Sequence, residues 1–278
     1  MTAEYSADPP IPVARARLAR KALVTVPALR GLRPVVLPLV TAAAALLVWQ
    51  IVVTALRIPA VILPTPLEVA DNLRRDLPVL LRHAMPTTLD TLMAFFTASV
   101  LGVGLAIAIT YSPLLRDMLY PNLVLFQLIP KVALAPLFVV WLGIGSGSRV
   151  AFATFVSFFP VVISAAVGFA NTEASAVRLC RSLTASESQC FAMVRFPFAL
   201  PAIFSGMKIA ITMAVIGVII GEFISAQAGL GFYILYASSR METAVIFAAL
   251  FVLCVIGLAL FGAVALAEEI VRRSYGRR

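Results

Sequence analysis

The sequence predicts an all-α protein built on six transmembrane helices, and three observations carry that prediction. Of 278 residues, 62% are apolar and only 13% charged, with a mean hydropathy of +1.02. Soluble domains run about 45–50% apolar and about 25% charged, so this chain cannot furnish a water-facing exterior. Apolar runs of about 20 residues, enough to cross about 30 Å of hydrocarbon, recur six times. Finally, 22 Lys and Arg against 13 Asp and Glu gather on alternate connections, as cations do in membrane proteins. A disordered chain, a secreted disulfide scaffold and an ordinary cytosolic enzyme are excluded together.

The first run, 34–55, is uncharged between Arg33 and Arg57. It exceeds the 7–15 residues of a signal-peptide core and reads as an uncleaved helix. Ahead of it, residues 1–33 form a basic tail with six cations and with Pro9, Pro10 and Pro12, which predict poor order. Between 58 and 90, Val69, Leu73, Leu77, Leu80 and Leu81 recur at helical spacing among charges. That pattern predicts a short interfacial helix capping the bundle. The second span lies within 91–115, the third at 119–142 and the fourth at 150–170. The fifth covers 202–224 and the sixth 243–267. The transmembrane domain occupies 34–270, and 271–278 form a basic C-terminal tail.

With the N-terminus inside, fifteen cations fall on the inner side and six on the outer, Lys131 being the remaining one. The charge of +9 is therefore an orientation signal with both termini cytoplasmic, not a nucleic-acid footprint. Three cysteines without a C-x-x-C pair, and the single His83, argue against a disulfide framework, a metal site or a proton relay. His83 reads as a solvated or interfacial residue.

The longest inner connection, 171–201, carries apolar Leu179, Leu183, Cys190, Phe191 and Val194, interrupted near its middle by Ser, Thr and Glu. The pattern predicts two short amphipathic helices at an angle. Pro197 and Pro201 fall where a new helix can begin. Either this is an ordinary connector or it is a handle for another protein.

A charge in hydrocarbon costs at least about 2.5–3.5 kcal/mol and normally faces protein or water, which singles out Lys131 and Glu222. Lys131 lies between Pro130 and Pro136, whose missing N–H groups loosen the third span and leave carbonyls free. These four residues are the candidates for a translocation path. Pairing of Lys131 with Glu222 is the structural alternative, although their depths differ by about 10 Å at 1.5 Å per residue. Asp90 and the outer arginines read as interfacial anchors. Gly102, Gly104, Gly206, Gly217 and Gly221 read mostly as helix-packing positions. Gly229-Leu230-Gly231 is either a partner-facing turn or a simple reversal before the last span.

Several ordered motifs resemble one family. Leu63-Pro64-Thr65-Pro66-x-Glu68-Val69 is followed by Ile129-Pro130-x-x-Ala133-x-x-Pro136-Leu137-x-x-x-Trp141-x-Gly143-Ile144-Gly145. Phe159-Pro160, Pro197-x-x-Leu200-Pro201, Gly206, Glu222 and Gly229-Leu230-Gly231 come next in order. Over about 63–270 the chain resembles the binding-protein-dependent ABC importer permeases, in the nitrate/sulfonate/taurine branch. That family's signature E-A-A-x3-G-x9-I-x-L-P places Val194, Phe196 and Pro197 at its tail, Thr184 at its glycine and Arg178-Leu179-Cys180 at E-A-A. Its Glu and Gly are thus missing. Thr88-Leu89 is followed by Asp90-Thr91 where the family commonly has an Arg.

The resemblance implies a type I ABC importer permease fold in a bacterial inner membrane, surrounded by lipid. A second permease copy (homodimer or heterodimer), two ATP-binding subunits and an extracytoplasmic solute-binding protein would be its partners. The 171–201 loop would be the coupling element, through Arg178, Leu179, Cys180, Arg181, Thr184, Glu187, Phe191, Val194, Phe196 and Pro197. The chain has no G-x-x-x-x-G-K-[ST] loop, so ATP and Mg²⁺ would sit on the partner ATPase, with no catalytic residue, metal or cofactor here. Thr184 lacks the left-handed freedom of glycine, so it is expected instead to cap the second short helix, with Glu187 completing a capping box. The implied function is a path for a small organic or anionic solute. A secondary transporter or channel is the alternative, and no related halves are evident to support it.

Overall fold

The computed structural model describes residues 33–225 and 227–275, and every regular element among them is helical. The N-terminal tail before Arg33 and the end of the chain after Tyr275 lie outside the described residues. Helix α1, Arg33–Ala55, is the expected first span. Pro38 lies within it, and the Thr41 hydroxyl donates to the carbonyls of Leu37 and Pro38 at 3.0 and 2.9 Å.

Helix α2, Pro66–Tyr111, corrects the expectation of a separate interfacial helix, because that segment and the second span form one helix of 46 residues. Its start is fixed by a reciprocal cap. The Thr65 hydroxyl accepts from Glu68 N–H at 3.2 Å, and the Glu68 carboxylate accepts from Thr65 N–H at 2.7 Å. Pro78 and Pro86 each remove one backbone bond without ending the helix. The buried stripe Leu80, Ala84, Thr87, Asp90, Thr91 and Ala94 continues past Pro86 and holds the register. At 1.5 Å per residue the helix is about twice as long as the hydrocarbon is thick.

The third span is broken. Helix α3, Pro113–Gln127, and helix α4, Ala135–Leu142, are joined through a 3-10 turn at Lys131–Leu134, and the two arms are bent by 95°. Helix α5, Ser146–Ala170, is the fourth span. Two short helices follow, α6 at Ala174–Ser182 and α7 at Glu187–Cys190. A π-helical segment, Phe191–Arg195, then leads into α8, Phe196–Ser225. The Gly229-Leu230-Gly231 stretch opens an extra helix, α9, Leu230–Ser239. Helix α10, Thr243–Tyr275, overruns the expected sixth span and takes in the first residues of the expected C-terminal tail. Five described helices are long and apolar enough to cross a membrane, or six with the bent pair counted as one.

Helix α5 is central, packed against α8 and α2, while α10 packs on α2, α8 and α9. Ala94, Phe95, Ala153, Val161, Ala210, Ile211, Ala214 and Val218 form the core between them. Small residues set the spacing. A Cβ at Gly206 would lie 2.7 Å from that of Ser164, and one at Gly217 would lie 2.8 Å from Ala153 Cα. Gly104 departs from the expected packing role, for nothing lies within 4 Å of its missing Cβ.

Candidate coupling loop and solute path

The 171–201 loop folds as two short helices, and the joint between them has a specific backbone cause. Helix α6 ends in paired bonds from Thr184 N–H to Arg181 O at 3.0 Å and from Ala185 N–H to Cys180 O at 3.3 Å. This is the Schellman arrangement, which requires a left-handed residue just past the helix, usually glycine. Thr184 occupies that position with φ +59°. The expected Thr184–Glu187 capping box is therefore corrected. Ser186 caps α7 instead, accepting from Gln189 N–H at 3.3 Å, while the Gln189 side chain accepts from Ser186 N–H at 2.8 Å. Thr184 terminates the first helix in a left-handed geometry that glycine adopts without steric cost.

The freed Glu187 spans the joint to Arg181 at 2.6 Å, with both side chains about half exposed. Arg178 lies on the same side of α6 as Arg181, three residues away. Leu179 and Leu183 point outward, 63% and 72% exposed, while Cys180 and Cys190 face inward and are buried. Phe191 anchors the loop's far end, its ring 5.7, 5.5 and 5.8 Å from those of Tyr111, Phe169 and Phe196. Val194 is half-buried in the π-helical segment, and Pro197 falls in the first turn of α8, where a missing N–H is tolerated.

At the broken span, Pro130 precedes the 3-10 turn and Pro136 occupies the first turn of α4. The Lys131 ammonium donates to Gln127 O at 3.2 Å and stands 5.4 Å from the centre of the Phe159 ring. It borders a cavity of about 350 Å³ lined also by Gln127, Phe152, Phe159 and Ile216. Lys131 and Glu222 are not paired. The cation is held by a carbonyl and an aromatic face, the carboxylate by other groups entirely.

Glu222 is sealed, 1% exposed. It accepts from the Thr87 hydroxyl and from Gly231 N–H, both at 2.7 Å. The Thr87 oxygen in turn accepts from Leu230 N–H at 2.9 Å, and His83 Nδ1 accepts from Gly229 N–H at 3.2 Å. Three successive N–H groups entering α9 thus find acceptors on α2 and α8. His83, expected at an interface, is part of this clasp and stacks on Tyr233 at 5.0 Å. Asp90 is corrected likewise. It is buried rather than interfacial, accepting from Arg149 Nε and Nη2 at 2.9 Å and from the Ser146 hydroxyl.

Arg149, one of the outer arginines read as interfacial anchors, is likewise buried, and Thr87, Ser186 and Gln189 were not singled out by the sequence. For Ser186 and Gln189 a signal was present, the S-x-x-Q spacing of a cap. For Thr87 and Arg149 there was none, because their partners lie 135 and 59 residues away.

The profile of the family described as "Binding-protein-dependent transport system inner membrane component" matches residues 98–273. The chain belongs to this family. It is 33% identical over 224 residues to a probable ABC transporter permease protein of Haemophilus influenzae, covering 81% of this chain and 91% of that one. It is 32% identical over 231 residues to the taurine transport system permease protein TauC of Escherichia coli, covering 81% and 84%. The formylaminopyrimidine transport permease protein ThiX of Halalkalibacterium halodurans is 30% identical over 227 residues, covering 81% and 90%. Among solved structures, the inward-facing MetNI methionine ABC transporter aligns with a TM-score of 0.60 at 19% identity, covering 72% of this chain and 98% of that one, which establishes a shared fold. The chain is thus a multi-pass inner-membrane permease subunit of an ABC importer, in the nitrate/sulfonate/taurine branch, and is not itself catalytic. The secondary-transporter reading is not favoured.

Proposed function

We propose that this permease encloses, with a second copy of itself, a path for a small organic solute bearing an anionic group, and that an ATP-binding subunit drives it through the 171–201 loop. The observation that carries the coupling reading is the outward pair Leu179 and Leu183, a protruding apolar edge at the C-terminal end of α6. The loop and both chain ends, including the tails 1–33 and 271–278, then lie in the cytoplasm, and the domain 34–270 lies in the membrane. ATP and Mg²⁺ belong to the partner ATPase, and a solute-binding protein delivers cargo on the opposite face. Lys131 is the anion contact, because it borders a cavity and has no carboxylate partner among the described residues. Pro130 and Pro136 hold it at the break. Glu222 contributes to the path by fixing α9 rather than by meeting solute. Relatives named for taurine, aliphatic sulfonates and formylaminopyrimidine make small organic cargo the natural class.

The test is ATP hydrolysis by the complex assembled from permease, ATP-binding subunit and solute-binding protein. Lys131→Ala is expected to lower solute-stimulated hydrolysis about tenfold, the scale of one lost charge-assisted contact, with assembly intact. Unchanged stimulation would remove Lys131 from the path. Leu183→Cys is expected to cross-link to the ATP-binding subunit. Failure of cross-linking at every position from Arg178 to Arg195 would remove the docking assignment.

A further inference from the structure

A cavity of about 720 Å³ lies where the last turns of α2 and α5 meet α6 and the π-helical segment. Its lining includes four arginines, Arg116, Arg178, Arg181 and Arg195, with Ala166 and Phe169 among the apolar wall, and no carboxylate. Of the four, only Arg181 has a carboxylate partner among the described residues, Glu187. Arg195 lies 5.9 Å from the centre of the Tyr111 ring. The ends of α2 and α5 each present about half a negative charge. Set against four guanidiniums, those two ends and Glu187 leave an excess of about two positive charges. Compensation of helix dipoles therefore does not account for the cluster.

We propose that this cavity binds the phosphate headgroup of an anionic phospholipid from the adjacent leaflet. The inference rests on the orientation proposed above, which places the cavity at the inner surface. Two features favour a lipid over a soluble phosphate. The apolar wall belongs to the end of α5, a helix that crosses the membrane, so the cavity grades from hydrocarbon to guanidinium as a phospholipid does. Val167, 41% exposed, lines the cavity beside Ala166 and Phe169, an apolar wall against which an acyl chain can lie. Basic pockets between transmembrane helices on that side suit anionic headgroups. Arg116, Arg178 and Arg195 have no carboxylate partner among the described residues and Arg181 shares its one with solvent, both side chains being about half exposed. Arg178 and Arg181 occupy the face of α6 roughly opposite Leu179 and Leu183, so one helix can present leucines to an ATPase and arginines to a headgroup.

The experiment is native mass spectrometry of the detergent-purified complex, titrated with phosphatidylglycerol or phosphatidylcholine of matched acyl chains. The wild-type permease is expected to retain phosphatidylglycerol in preference. The triple substitution Arg116→Gln, Arg178→Gln and Arg195→Gln is expected to lose that preference by more than tenfold, since each surface cation is worth roughly fivefold. The corresponding three Arg→Lys changes should keep most of it, and excess glycerol phosphate should not displace the lipid. Equal retention of the two lipids by the wild type would overturn the proposal, as would undiminished preference in the glutamine variant. Displacement by glycerol phosphate would assign the cavity to a free anion and also overturn it. So would loss of the ATP-binding subunit from the glutamine variant with lipid preference intact. If that variant does not fold, the wild-type lipid comparison and the lysine variant decide alone. The reading is made in detergent, so an error in the proposed orientation shows separately, in surface labelling.

Discussion

Glu222 shows how one side chain decides a local fold. The first N–H groups of any helix lack partners inside it, and a carboxylate at that end also meets the positive pole of the helix dipole. Glu222, with Thr87 and His83, supplies acceptors for three successive amides at the start of α9. Gly229 has φ +122°, and a Cβ there would run into the Glu222 carboxylate, so the motif's glycine makes room for the acceptor. Glu222→Ala should cost about 2–5 kcal/mol, because Gly231 N–H and the Thr87 hydroxyl would be buried without their acceptor. Glu222→Gln should cost less, since its amide keeps one acceptor oxygen but turns an N–H₂ toward a donor. Thermal unfolding in detergent checks the order, and equal midpoints for wild type and both variants would refute the clasp. Thr184 makes the complementary case. Left-handed backbone costs an L-residue about 1–2 kcal/mol, so Thr184→Gly should tighten the α6 terminus by up to about 1 kcal/mol after glycine's entropy is counted. Thr184→Pro, fixed near φ −65°, should open it. Hydrogen exchange at the Leu183 and Ala185 amides, which bond back into α6, reads both changes.

At the scale of elements, the Asp90–Arg149 pair pins α2 to α5 close to where α5 begins. Removing one member of a buried pair leaves an uncompensated charge and costs about 3–5 kcal/mol, whereas replacing both is far cheaper. Arg149→Ala should therefore unfold at a markedly lower temperature than the double change Asp90→Asn with Arg149→Gln. The reverse order would mean that the pair does not hold the two helices. The limits of sequence reading are visible at the same places. The spans were legible because apolar length is a local property, and the 171–201 helices because their polar interruption is local too. The unity of α2 was not legible. Its charged first half resembles a surface helix in isolation, and only the stripe it buries against α9 and α10, with Leu80 and Ala84 beside Leu230 and Ala248, carries the helix onward. Nor did the prolines around Lys131 announce a 95° bend rather than a loosened rod. The bend depends on what fills the space beside it.

For the whole molecule, the structure sharpens the charge asymmetry from which orientation was read. Arg149, counted on the outer side, is withdrawn into the buried pair with Asp90, and Lys208, counted on the inner side, is paired with Glu268 of α10 at 2.6 Å. Both leave the connections for the bundle, so fourteen inner cations now face five outer ones. Arg240, one of those five, is bonded to Glu242 at 2.8 Å. Orientation follows the count of Lys and Arg near span ends rather than net charge, so the ion pairs of Arg272 and Arg273 with Glu269 do not weaken the inner bias. On the proposed orientation Ser182, at the end of α6, lies in the cytoplasm and Ser239, at the end of α9, outside. Both are exposed, and the native Cys180 and Cys190 are buried while Cys254 lies on an apolar span, so a cysteine placed at either serine reports alone. In right-side-out vesicles, a membrane-impermeant maleimide should label Ser239→Cys directly and Ser182→Cys only after permeabilisation. The opposite pattern would invert the permease, and would move the 171–201 loop and its arginine-lined cavity away from any cytoplasmic ATPase.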